Sequence, residues 1–217
     1  MTREIDRDEL SERIECAYRA SGNQLGWRLL TSPPSVLDHS EVAFLGLNPA
    51  GRNQPHDHAE FAMPSGSAYV VERWAGHPPG HSPLQRQVRA LFAGLEVKPE
   101  DVLAGNLVPF RSPDWASLEN RKEAMSFGIE IWGEILAHAR PKLIIGMGGV
   151  VTATLSASLN ARKEKRIPVG WGNITGLRAD FSNGTLIGLP HLSRFAIMLR
   201  AKSQQGIRNL FGDHWRI

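Results

Sequence analysis

The chain has 217 residues, 41% hydrophobic and 22% charged, with a net charge of +3, the make-up of one globular domain long enough to bury a proper core. No run of about eighteen apolar residues occurs and residues 1–8 hold no apolar signal core, so neither a membrane span nor export is expected, and the cytoplasm is the expected compartment. Cys16 is the sole cysteine, which excludes an internal disulfide, a cysteine-rich structural zinc site and a cysteine-held iron–sulfur cluster.

A single domain over residues 1–217 is expected, with residues 1–40 as an N-terminal helical extension. The first clear element is Val42 to Leu47, a short buried strand broken abruptly by Asn48-Pro49-Ala50-Gly51. Residues 53–80 follow without a period, rich in Pro, Gly and His, and a loop of that length inside a domain is usually functional or mobile. Ser82-Pro83 is an N-cap followed by a first-turn proline, and Leu84, Val88, Leu91, Phe92 and Leu95 form one helical stripe behind it. Asp101 to Val108 is a second apolar run, with Asn106 inside it and Pro109-Phe110-Arg111-Ser112-Pro113 beyond. A helical period runs through Ser117 to Ala139, a third strand through Lys142 to Met147, and a short helix through Val150 to Leu159. Ile174 to Phe181 with Asn183-Gly184 predicts a hairpin feeding a fourth strand, Thr185 to Leu189, which ends in Pro190-His191-Leu192-Ser193. A further helix follows. Strands alternating with helices predict parallel strands joined by crossovers.

Open sheets of this kind bind ligands just past the carboxyl ends of their strands. Asn48 and His191 both stand there, while Asn106 is a polar residue in an otherwise apolar strand and demands a reason. Gly146-Met147-Gly148-Gly149 lacks the full dinucleotide fingerprint and its acidic partner. His56 and His58 flank Asp57 without any fixed metal-ligand spacing, so no metal is expected. Two basic stretches, Arg162 to Arg166 and Arg194 to Arg216, would suit a phosphate backbone, although each taken separately reads first as a solvated helix face.

Taken together, these stretches resemble the uracil-DNA glycosylase superfamily. Gly46-Leu47-Asn48-Pro49-Ala50-Gly51 is similar to its first active-site motif, in the form with Asn in place of Asp that marks the mismatch-specific and single-strand-selective branches. Phe61 falls where that superfamily keeps a ring that stacks on the extruded base, and Asn106 matches the strand-borne Asn that reads the base edge. Pro141 to Gly146 resembles its third core strand, and Pro190-His191-Leu192-Ser193 its second motif, with Leu192 where Pro is usual. The resemblance spans about Val42 to Phe195. It implies a three-layer α/β/α fold around a central, mainly parallel four-stranded sheet, and a monofunctional repair enzyme that hydrolyses the N-glycosidic bond of uracil or a related deaminated base.

On that resemblance Asn48 and His191 are the catalytic pair. Asn48 orients a water through its carbonyl, and His191 donates to O2 of the departing base. Asn106, Phe61, Gly46 and Leu47 recognise the base, and Pro49, Ala50, Ser112, Ser193, Arg194 and Phe195 contact DNA. Phe61 reads equally well as a loop anchor in the core. The partner is DNA holding uracil or another deaminated base; no cofactor, metal or membrane is expected, and the chain is expected to act as a monomer. One alternative is a uracil-DNA- or nucleotide-binding protein of the same fold with weak or no catalysis, and a third reading is a nucleoside- or nucleotide-processing enzyme that uses the same crevice on a small molecule.

Overall fold

The computed structural model describes residues 5–53 and 59–217. Its strands are β1 (Val42–Gly46), β2 (Leu103–Asn106), β3 (Leu143–Met147), β4 (Arg162–Trp171), β5 (Ile174–Phe181) and β6 (Gly184–Leu189). Its helices are α1 (Arg7–Ala20), α2 (Ala68–Val71), α3 (Pro83–Gly94), α4 (Arg121–Ala139), α5 (Gly149–Ser158) and α6 (Gln204–Phe211). No described helix is long and apolar enough to cross a membrane.

One sheet of six strands in the order β2-β1-β3-β6-β5-β4 forms the centre. The first four are parallel, and β5 and β4 add to them antiparallel. The sheet is therefore mixed and larger than the four strands expected. The hairpin of β5 and β6 stands where Asn183-Gly184 predicts it. Besides β5, the sheet gains β4, whose basic start, Arg162 to Arg166, is an exposed edge strand and not a helix face.

Alternate residues of β1 serve two separate cores. Ala43 and Leu45 pack with α1, α4 and α5, represented by Ile14, Ile131, Trp132 and Leu155. Val42 and Phe44 pack with α3 and α6, represented by Leu91, Phe92, Ile207 and Phe211. Strands that are buried on both faces lose the polar-apolar alternation, which is why β1 and β3 read as continuous apolar runs. Helix α3 starts where expected, on a capping box in which Ser82 and Gln85 each satisfy the other's backbone N–H.

The N-terminal region is only partly helical. After α1, residues 26–31 extend beside β2 and the chain following it: Arg28 N–H donates to Pro109 O at 2.8 Å, Asn106 N–H to Leu29 O at 3.3 Å and Thr31 N–H to Ala104 O at 2.8 Å. This extended piece covers the β2 edge. Arg28 within it makes a buried ion pair with Glu72 at 2.8 Å. Glu72 belongs to the stretch leading into α3, and its carbonyl accepts from Gln85 Nε2 at 2.8 Å. The second half of the aperiodic 53–80 stretch is thus bound down on both sides.

Candidate active site

The parallel ladders set the level of the site. Gly46 pairs with Asn106, Leu45 with Gly146, and Met147 with Leu189, so four strands end side by side at one edge. Asn48 lies two residues past the end of β1 and His191 two residues past the end of β6. With β3 between them, at about 4.8 Å per ladder step, their backbones are roughly 10 Å apart. Asn106 ends β2, one step from β1 on the other side. Three polar residues far apart in sequence therefore share one rim.

Beyond the sheet, the β1 and β2 continuations stay paired. Leu107 N–H donates to Gly46 O at 2.9 Å, Val108 N–H to Leu47 O at 2.8 Å and Ser112 N–H to Pro49 O at 3.2 Å. This parallel track brings Ser112 against Asn48. Asn48 Nδ2 donates to Ser112 Oγ at 2.8 Å, with Pro49 O at 3.2 Å and Phe110 O at 3.4 Å as further acceptors. The Ser112 hydroxyl gives its own proton to Asp114 O at 2.7 Å, so toward Asn48 it can only accept. Three acceptors around one end of the amide force its NH2 there. Asn48 Oδ1 faces the other way, and no described residue donates to it.

Asn106 is held by its backbone and left open at its side chain. Trp132 Nε1 donates to Asn106 O at 2.7 Å, but among the described residues the half-buried side-chain amide has no hydrogen-bond partner. Gly46 makes room for it, because a Cβ at position 46 would stand 2.8 Å from Asn106 Oδ1. Leu47 is half-buried and packs against the core on the α1 and α4 side. Pro49 is buried, whereas Ala50 is exposed.

His191 is half-buried, with Ser193 Oγ 2.8 Å from Nδ1. The backbone N–H groups of Arg194 and Phe195 both donate to His191 O, which winds the loop into a tight turn. Burial, and then the Arg194 charge, hold the imidazole pKa below its ordinary value, so the ring is neutral at neutral pH. Leu192 is 1% exposed and belongs to the core shared with α3 and α6. The residue that departs from the His-Pro-Ser pattern is therefore an anchor of the loop from below. Phe195 packs edge-on to Trp171, with ring centroids 6.1 Å apart, and Arg200 lies 4.6 Å from the Trp171 ring centre.

Not every predicted residue joins this rim. Phe61 lines a separate hollow with Ser11, Trp27, Pro34 and Met63, and packs against the core there; Asn48, Asn106 and His191 are not in that lining. Ser112 is 2% exposed and its hydroxyl is occupied on both sides, which suits an Asn48 support and not a phosphate contact. Ser193 and Arg194 are exposed. His56, Asp57 and His58 lie outside the described residues. Sequence reasoning missed Arg111, which is 7% exposed and donates through Nη1 to Ala50 O. It stands between the two residues that hold Asn48, a relation created by the β1–β2 track and carried by no local pattern.

No protein-family model matches the chain, and no curated protein matches it.

Proposed function

We propose that the chain is a DNA-repair glycosylase of the uracil-DNA glycosylase type, which hydrolyses the N-glycosidic bond of uracil or a related deaminated base and leaves an abasic site. The observation that carries the proposal is the orientation of Asn48. An amide whose NH2 is fixed by three acceptors presents a fixed carbonyl, and an unoccupied carbonyl at a strand-end rim suits the holding of one water.

The rest of the rim supplies complementary chemistry. Breaking the bond between C1′ and N1 leaves its electron pair on the base, with charge collecting at O2. In the tautomer in which Ser193 Oγ donates to Nδ1, a neutral His191 carries its proton on Nε2 and donates it as a hydrogen bond where that charge develops. The unpaired Asn106 amide offers a donor and an acceptor side by side, which match O4 and N3–H of uracil and mismatch cytosine. The water held by Asn48 forms the new C1′–O bond, and its proton ends on the departing base. Asn48 is no strong base, so its part is positioning, and the bond is broken ahead of attack. Extruding the nucleotide costs a few kcal/mol, least from single strands and mismatches.

The test is excision from labelled oligonucleotides carrying one uracil, single-stranded or opposite G or A, in EDTA and followed by alkali. Strand cleavage at uracil is expected, with Asn48→Ala and His191→Ala each lowering the rate about 100-fold or more, the scale of one lost oxyanion donor, and with the fold retained. Parent-like rates in both variants would remove the site assignment. Tight, uracil-selective retention without any cleavage would instead establish a binding protein.

A further inference from the structure

Arg111 is a buried cation with no ion-pair partner among the described residues. Its Nη1 donates to Ala50 O, its Nε is sealed from solvent with no acceptor, and its Nη2 has no hydrogen-bond partner among the described residues. The nearest acidic influence is Glu72, and Glu72 is already taken by Arg28, at 2.8 Å. Arg28 is 3% exposed and uses its Nε on Leu30 O at 3.0 Å. The Glu72 carboxylate thus pairs with one of two buried guanidinium groups and acts on the other only at a distance. Burial, and then the Arg28 charge, hold the Arg111 pKa below its ordinary value.

A buried charge without a partner costs several kcal/mol, and a fold keeps one only where something else compensates. Folding alone has little use for it, since one hydrogen bond to a carbonyl needs no cation. The location is more telling. Phe110 and Ser112, the residues on either side, both receive Asn48 Nδ2, and the Arg111 contact at Ala50 is two residues past Asn48. Gly51, at φ +142°, lies close beside the Arg111 side chain, and a Cβ there would stand 3.1 Å from Nη1. Ala50, Arg52 and Asn53 around it are exposed. Nη2, unlike Nε, is not sealed, and because the guanidinium charge is delocalised, an oxyanion on Nη2 would compensate the whole group.

We propose that Arg111 is the anion anchor of this site and holds a phosphodiester oxygen of the bound strand beside the nucleotide addressed by Asn48; the strand as the source of that phosphate rests on the glycosylase reading. Free phosphate offers the same oxyanion, so the experiment separates the two. Binding of a labelled single-stranded uracil oligonucleotide is measured in EDTA across a range of NaCl for the parent, Arg111→Met and Arg111→Lys. Losing one phosphate contact on a single strand lowers the slope of log Kobs against log [NaCl] by about 0.7. That drop is expected in Arg111→Met and not in Arg111→Lys. In parallel, each phosphodiester near the uracil is replaced singly by a neutral methylphosphonate. One linkage is expected to lower the parent's slope by the same amount and to leave that of Arg111→Met unchanged.

If Arg111→Met does not fold, Arg111→Lys carries the comparison. Its affinity is then expected to respond less than the parent's to neutralising that one linkage. Equal slopes in the parent and Arg111→Met, with no sensitive linkage, overturn the proposal. Inorganic phosphate that raises the parent's melting temperature but not that of Arg111→Met, with no linkage sensitive, overturns the strand as source and leaves a free-phosphate site. None of these readouts requires excision. Absence of cleavage with the slope change present would therefore count against the glycosylase reading alone.

Discussion

Replacing Ser112 by Ala separates a support for Asn48 from a contact to DNA. The change removes one hydroxyl and two hydrogen bonds, Asn48 Nδ2 to Ser112 Oγ at 2.8 Å and Ser112 Oγ to Asp114 O at 2.7 Å. The acceptors that remain for Asn48 are the longer ones, Pro49 O at 3.2 Å and Phe110 O at 3.4 Å. At about 0.5–1.5 kcal/mol net for each neutral bond, the loss of stability is about 1–3 kcal/mol. For a chain of this length that is roughly 2–12 °C in melting temperature. The amide then tips among two weaker acceptors, and a displacement near 1 Å at a reacting centre costs about 100-fold. Single-turnover excision is accordingly expected to slow by about 10- to 100-fold. KM for the uracil oligonucleotide should stay within about 2-fold, since a hydroxyl this deeply buried touches no substrate. The salt dependence of binding should not move. An unchanged excision rate would refute the reasoning that Ser112 orients Asn48. A salt slope lower by about 0.7–0.9 would return Ser112 to the phosphate backbone.

Other outcomes follow from the same geometry. His191 works as a neutral ring, so excision should fall as pH drops through its depressed pKa and level off toward neutrality; Arg194→Gln should move that acid limb to higher pH, read from a pH–rate profile. The same depression has a stability sign. The unfolded ring takes a proton first, so the contribution of His191 is fully present above its ordinary pKa of about 6.5 and disappears as pH falls through the folded value. Thermal melts between pH 5 and 8 should therefore show a smaller acid loss in His191→Asn. Gly46→Ala should displace the Asn106 side chain, whose Oδ1 would lie 2.8 Å from the new methyl. Uracil-over-cytosine selectivity should then fall by about 10-fold or more with the fold retained, the scale of a lost base-edge contact. Leu192→Pro, which would restore the commoner motif, empties a core position that is 1% exposed; a loss of about 2–4 kcal/mol in chemical denaturation is expected.

What could be read in the sequence was whatever local pattern encodes. Strands β1, β2, β3 and β6 are buried on both faces and show as apolar runs, and the caps of α3 stand in plain residue types. Asn48 and His191 stood out because they fall just past the carboxyl ends of apolar runs, where open sheets bind ligands, and Asn106 because it is polar inside such a run. Strand β4 was illegible because Arg162 to Arg166 are exposed throughout, so no period-2 signal forms; only the ladder to β5 makes it a strand. Residues 26–31 hid for the opposite reason. Arg28 breaks their apolar pattern, and its burial makes sense only with Glu72, 44 residues away. Ser112 and Arg111 belong to the site through the pairing of two loop segments, a tertiary fact that neither segment displays.

The two margins of the sheet are finished differently. Residues 26–31 occlude β2 with chain, whereas the first half of β4 is left open and carries Arg162, Lys163, Lys165 and Arg166. An unpaired strand margin is a template for another copy of itself, and clustered like charge is a known defence against such stacking. That defence is electrostatic and so depends on the medium. It reaches about 8 Å at physiological ionic strength and about 3 Å in molar salt. Concentrated salt should thus make copies of the chain more adhesive to one another while weakening any contact that this strand makes with a polyanion. Lysines in this strand then answer to colloidal solubility as well as to any ligand, and neutralising them to probe nucleic-acid binding would perturb both properties at once.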